Sequence, residues 1–189
     1  MSEPITIVSG LPRSGTSLMM RMLEAAGLGV VSDGERAADD DNPRGYYELE
    51  RVKKLPDDVG WLPECEGKAV KVISRLMMML PEGGYRYRVI FMRRNLDEIL
   101  RSQKKMLERR GEDESFEDAE MKKNFILHVG EIEAFVAGRD DFEVLFVNYN
   151  RLMSDPAKQI QRVAEFLGRG DRIDDMTAVV EPGLYRQRA

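Results

Sequence analysis

The sequence predicts a three-layer α/β/α fold around a mainly parallel sheet of four or five strands, on three observations. Short apolar runs rich in β-branched residues alternate with longer segments whose apolar residues recur at helical spacing, the pattern of strands joined by crossover helices. The runs at 4–9, 69–74, 87–93 and 142–149 are apolar enough for strands covered on both faces. The chain of 189 residues is 42% hydrophobic, which suits one domain of ordinary size over residues 1–189.

Charge and cysteine content narrow the function classes. The formal net charge is −5, and polyanion binders are usually basic, so generic nucleic-acid binding is not expected. The single Cys65 excludes an internal disulfide and a cysteine-rich metal site. The N-terminus is polar, shows no signal peptide and enters the first strand directly, and no apolar run approaches the ~20 residues of a membrane helix. The expectation is a cytoplasmic protein without a membrane span.

The first strand leads into a Gly-containing loop and then, from Thr16, into a helical pattern of Leu18, Met19, Met22, Leu23 and Ala26 that Gly27 can end. Strand, glycine loop and helix N-terminus together make an anion site: unpaired N–H groups and the positive end of the dipole meet where the backbone can approach a phosphate. Gly10, Gly15 and Ser17 fit the nucleotide-binding loop G-x-x-x-x-G-K-[ST], but Thr16 stands in the lysine position and the cation is Arg13, inside the loop. A Mg²⁺-dependent phosphotransferase needs that lysine on its β- and γ-phosphates. Pro12-Arg13-Ser14-Gly15-Thr16-Ser17 resembles the 5′-phosphosulfate loop of the sulfotransferase family, whose fold is like that of the P-loop NTPases. The resemblance implies a co-substrate, 3′-phosphoadenosine 5′-phosphosulfate, held by Arg13, Ser14, Gly15, Thr16 and Ser17, and no metal.

Residues 32–50 lack periodicity and read as loop, with Gly34, Pro43 and Gly45 as breakers. Asn42-Pro43-Arg44-Gly45-Tyr46-Tyr47-Glu48 resembles a stretch of bacterial sulfotransferase-like proteins on the acceptor side of the donor site, and a turn followed by a helix start explains the same residues structurally. Residues 51–68, which carry the tryptophan Trp61, read as an irregular connection that is a candidate cover for the acceptor side. Lys71 lies inside a strand, where a lysine is costly unless it meets an anion. The resemblance puts it on the sulfuryl group, and an edge-strand lysine pointing to water is the other reading. A short helical segment follows from Arg75 to Leu80.

After the strand at 87–93, Asn95 is placed to cap a helix with Asp97 and Glu98 in its first turn. Arg94 and Ser102 match the family's 3′-phosphate motif, an arginine followed eight residues later by serine, with Leu96 where proline is usual. Chemically, Arg94 can make a two-pronged phosphate contact. A second long helix is expected from about 115 to 137, with His128 beside its apolar stripe as a structural histidine. Tyr149, Leu152, Asp155-Pro156 and Phe166-Leu167-Gly168 resemble the family's scaffold segment after the last strand. The basic tail carries Arg186 and Arg188, and the resemblance directs Arg186 to the 3′-phosphate.

These residues point to sulfuryl transfer to a hydroxyl or amine of a small-molecule or saccharide acceptor. Arg13 and Lys71 would stabilise charge, and Glu48 would serve as base in place of the histidine of animal cytosolic members. The alternatives are a non-catalytic nucleotide-binding protein on the same fold and a P-loop phosphotransferase.

Overall fold

The computed structural model describes residues 3–35, 38–39, 42–112, 117–181 and 183. Arg186 and Arg188 lie outside the described residues. Five strands, β1 (Ile5–Gly10), β2 (Val30–Val31), β3 (Ala69–Lys71), β4 (Tyr87–Arg93) and β5 (Phe142–Asn148), form one sheet in the order β2-β3-β1-β4-β5. Every pairing is parallel. Two-residue β2 was not expected; it is an edge strand too short to show periodicity. β1 is central and buried along its whole length, which is why Ile5-Thr6-Ile7-Val8 reads as a continuous run.

Helices α1 (Thr16–Ala25), α5 (Tyr149–Ser154), α6 (Pro156–Leu167) and α7 (Ile173–Ala178) pack one apolar layer. The helices α2 (Ser74–Met77) and α4 (Asp118–Ala137) and two 3₁₀ turns, Glu50–Lys54 and Leu62–Cys65, contribute to the layer on the other face. Helix α3 (Leu96–Arg110) leaves the carboxyl end of β4. Its start was legible: the Asn95 side chain accepts from the N–H groups of Asp97 and Glu98. Gly27 ends α1 with φ 75, and its N–H donates to the Glu24 carbonyl.

Trp61 is 1% exposed and packs in the layer with Leu62, Val70 and Met77. Its indole is core, with Nε1 donating to the Asp58 carbonyl, while Val52 and Lys53 of the same connection line the cleft described below. His128 Nε2 lies 2.9 Å from Ser74 Oγ, joining α4 to the first residue of α2.

Cys65 is fully buried, and burial pushes its thiol up to about 12. The thiolate, the reactive form, is therefore scarce at neutral pH. Native protein should react with a disulfide reagent at least ~100-fold more slowly than protein in denaturant. Timed thiol titration checks this, and equal rates would show that the segment around Leu62–Cys65 opens readily.

Candidate active site

Three adjacent carboxyl ends meet at the site. The register pairs Val8 with Lys71 and Gly10 with Met92, so the loop after β1 has the end of β3 on one side and the start of the β4–α3 connection on the other. Ligands in open α/β sheets bind beyond such ends. A cleft of about 460 Å³ opens there.

The loop is shaped by close approaches of the chain to itself. Gly10 has φ 150, and a Cβ on it would lie 2.5 Å from Ser14 Oγ and 2.7 Å from the Met92 carbonyl. Gly15, at φ 100, caps α1 with no side-chain hydrogen bond, and a Cβ there would run into the Tyr149 ring. The first turn of α1 carries no acidic residue. Its N–H groups and dipole thus face the cleft without the local carboxylates that α3 has. Ser14 is fully buried, and its Oγ has no hydrogen-bond partner among the described residues. An orphaned buried hydroxyl beside uncapped N–H groups fits an anion in the loop.

Arg13 sits at φ 69, in the left-handed region that a non-glycine residue seldom adopts. Hydrogen bonds to both its side chain and its backbone hold it. Its Nε donates to Ser102 Oγ at 3.0 Å, and its carbonyl accepts from Arg94 Nη1 at 3.0 Å. Arg94 is itself fixed: Nε donates to Glu98 at 2.9 Å, and the guanidinium lies 4.7 Å from the centre of the Tyr149 ring. Glu98 is 1% exposed and also accepts from Asn150 Nδ2 at 2.9 Å, while Asn150 Oδ1 accepts from the Asn95 N–H. A buried carboxylate is tolerable only when so paired. Two of the three Arg94 nitrogens, Nε and Nη1, are thus directed at the protein. Ser102, 7% exposed, accepts from Arg13.

The loop at 42–48 closes the other side. Ser17 Oγ donates to the Tyr46 carbonyl at 3.3 Å and accepts from Asn42 Nδ2 at 3.0 Å. The Tyr46 hydroxyl donates to Asp39 at 2.6 Å. Lys71 is 8% exposed; its ammonium donates to the Tyr46 carbonyl and lies 3.3 Å from Glu48 Oε1. The reading of Lys71 as a lysine pointing to water is thereby set aside. Thr16 lines the cleft at the first position of α1. The structure therefore gathers Arg13, Glu48, Lys71, Arg94 and Ser102 around one cleft.

Glu181 accepts from Arg44 at 3.0 Å and from Arg21 at 3.2 Å, and these two guanidinium groups, Arg44 first, hold its carboxyl below the usual range. The sequence reading missed this contact and the Arg94–Glu98–Asn150 cluster. The first joins residues 137 and 160 positions apart, which no local pattern reveals. The Arg94–Glu98 half of the second is an i,i+4 ion pair and was visible in principle. Among the described residues no group of three or more His, Cys, Asp or Glu side chains could hold a metal ion.

The model of the sulfotransferase domain matches residues 3–181. The chain belongs to the sulfotransferase domain family. Its fold is similar to that of a retinol dehydratase solved with androsterone and the inactive cofactor PAP, at 17% identity and TM-score 0.54, over 93% of this chain and 64% of that one. Mouse sulfotransferase SULT7A1, solved with PAP, is similar at 15% identity and TM-score 0.51, over 99% of this chain and 66% of that one. The sulfotransferase domain from the curacin biosynthetic pathway is similar at 12% identity and TM-score 0.51, over 88% of this chain and 74% of that one. The chain thus spans just under two thirds of the length of the first two. No curated protein matches it in sequence. No helix among the described residues is long and apolar enough to cross a membrane.

Proposed function

We propose that this sulfotransferase-family chain moves a sulfuryl group from 3′-phosphoadenosine 5′-phosphosulfate to a hydroxyl or amine acceptor. The observation that carries the reading is the loop after β1: an uncapped helix N-terminus whose cation is Arg13, held by Ser102 and by Arg94. The loop N–H groups, Thr16 and Arg13 bind the 5′-phosphosulfate and stabilise the charge that grows on the 5′-phosphate as it leaves. Lys71 neutralises the sulfuryl oxygens. Glu48, beside Lys71, takes the proton from the acceptor hydroxyl as the acceptor oxygen bonds to sulfur. The bond from sulfur to the bridging oxygen breaks, and its electron pair stays with the 5′-phosphate. Attack is in line, so the acceptor enters from the side of Glu48, opposite the loop.

Calorimetric titration tests the donor assignment. Adenosine 3′,5′-bisphosphate should bind more tightly than ATP with Mg²⁺. The reverse order, or no binding of the bisphosphate, would overturn the reading in favour of phosphotransferase or scaffold chemistry. Turnover with labelled donor across phenols, amines and sugars separates an enzyme from a non-catalytic binder.

A further inference from the structure

The cleft extends past the donor machinery along α3. Ser102, Lys105, Met106 and Arg109 line it together. They occupy positions i, i+3, i+4 and i+7, so they form a single stripe on that helix. At 1.5 Å per residue, Lys105 and Arg109 stand about 4.5 and about 10 Å beyond Ser102 along the axis. The stripe therefore starts at the serine that fixes Arg13 and carries two further cations away from the loop.

Other lining residues include Leu49, Val52, Ile73 and Leu76. Ile73 is 42% exposed, an apolar side chain open to the cleft rather than sealed in the core. This surface suits the apolar body of a ligand. The lysine that adds charge here has no ion-pair partner among the described residues: Lys105 faces the cleft without a carboxylate, in a chain of net charge −5. The 5′-phosphosulfate of the donor is meanwhile assigned to Arg13, Lys71 and the loop N–H groups.

Resting on the sulfuryl-transfer reading, we propose that the acceptor is an anionic amphiphile: a hydroxyl or amine on an apolar body, with a separate carboxylate or phosphate that Lys105 and Arg109 bind. Apolar surface and cations do different work in this subsite. The wall of Leu49, Val52, Ile73 and Leu76 supplies burial that is indifferent to charge. Lys105 and Arg109 select for the anion and raise its local concentration at the cleft mouth.

The probes are 8-anilinonaphthalene-1-sulfonate and N-phenyl-1-naphthylamine, which share an apolar body and differ by the sulfonate. Their fluorescence is titrated with the full chain in saturating adenosine 3′,5′-bisphosphate and again without it. Lys105→Glu and Arg109→Glu should each weaken the sulfonate probe about tenfold. The neutral probe and the bisphosphate should stay within about twofold. Lys105→Arg should restore the wild-type affinity. Unchanged sulfonate binding, or equal losses for both probes, would overturn the proposal. A parallel loss of bisphosphate affinity would overturn it too, by giving the two cations to the donor. If the wild type fails to bind the bisphosphate, the donor reading falls, while the probe comparison without nucleotide still judges the subsite. Dodecanoate and dodecyl phosphate should displace the sulfonate probe, with dodecanol much weaker, and the stronger of the two anions identifies the headgroup.

Discussion

Arg13→Ala should lower the affinity for adenosine 3′,5′-bisphosphate by about 100-fold, and turnover with the phosphosulfate donor by more. A charge-assisted contact to phosphate in a site with low access to water is worth roughly 1.5–3 kcal/mol in the ground state. The charge on the leaving 5′-phosphate grows in the transition state, so the same side chain contributes further there, as donors at such positions do by roughly 3–4 kcal/mol. The geometry adds a second cause. Arg13 lies at φ 69 and is held through its carbonyl by Arg94 and through its side chain by Ser102. Removing the guanidinium frees one of those tethers and leaves Ser102 without that donor. The loss should therefore appear in both binding and kcat. Arg94→Ala should act in the same direction through the backbone tether, and the double variant should cost less than the sum, because the two residues form one unit. Calorimetry with the bisphosphate and steady-state kinetics measure both. An Arg13→Ala protein with wild-type affinity would refute the site assignment while leaving family membership intact.

Glu48→Gln should reduce kcat by 10²–10⁴, roughly 3–5 kcal/mol of barrier, with little change in bisphosphate affinity. The substitution keeps shape and hydrogen-bonding capacity but cannot accept the acceptor proton. Glu48 also faces Lys71, 3.3 Å away, so a second account makes it only a counter-ion for a buried ammonium. The two accounts differ in how the defect depends on the acceptor. A base matters most when the hydroxyl is weakly acidic. Across a series of phenols, the defect should shrink towards 4-nitrophenol, which needs little help to lose its proton. A constant defect across the series, or a large fall in donor affinity, would assign Glu48 to the support of Lys71 instead. Thermal denaturation of each variant reports whether the partly buried pair still allows the native fold.

The alternation of strands and helices was readable because each element has a one-dimensional signature. β1 is buried on both faces and therefore continuously apolar, and α3 begins with Asn95, Asp97 and Glu98 because its terminal N–H groups need acceptors. The glycines of the loop were legible for a related reason: at φ 150 and φ 100, with neighbours at contact distance, a side chain does not fit at Gly10 or Gly15. The strand, glycine loop and helix at the N-terminus, the missing lysine and the parallel sheet were thus readable from residue order alone.

The tertiary structure decided which groups meet. Lys71 could have pointed to water or inward, and the parallel register with Val8 and the crossing of Tyr46 over the strand end turn it into a buried partner of Glu48. Arg94 matched a phosphate motif by spacing, yet two of its nitrogens serve Glu98 and the Arg13 carbonyl. Within the connection 51–68, Trp61 belongs to the core while Val52 and Lys53 reach the cleft. The reason is the same in each case. Burial and hydrogen-bond partners of a side chain depend on residues tens of positions away, brought together by strand order, and no local period or spacing carries that information.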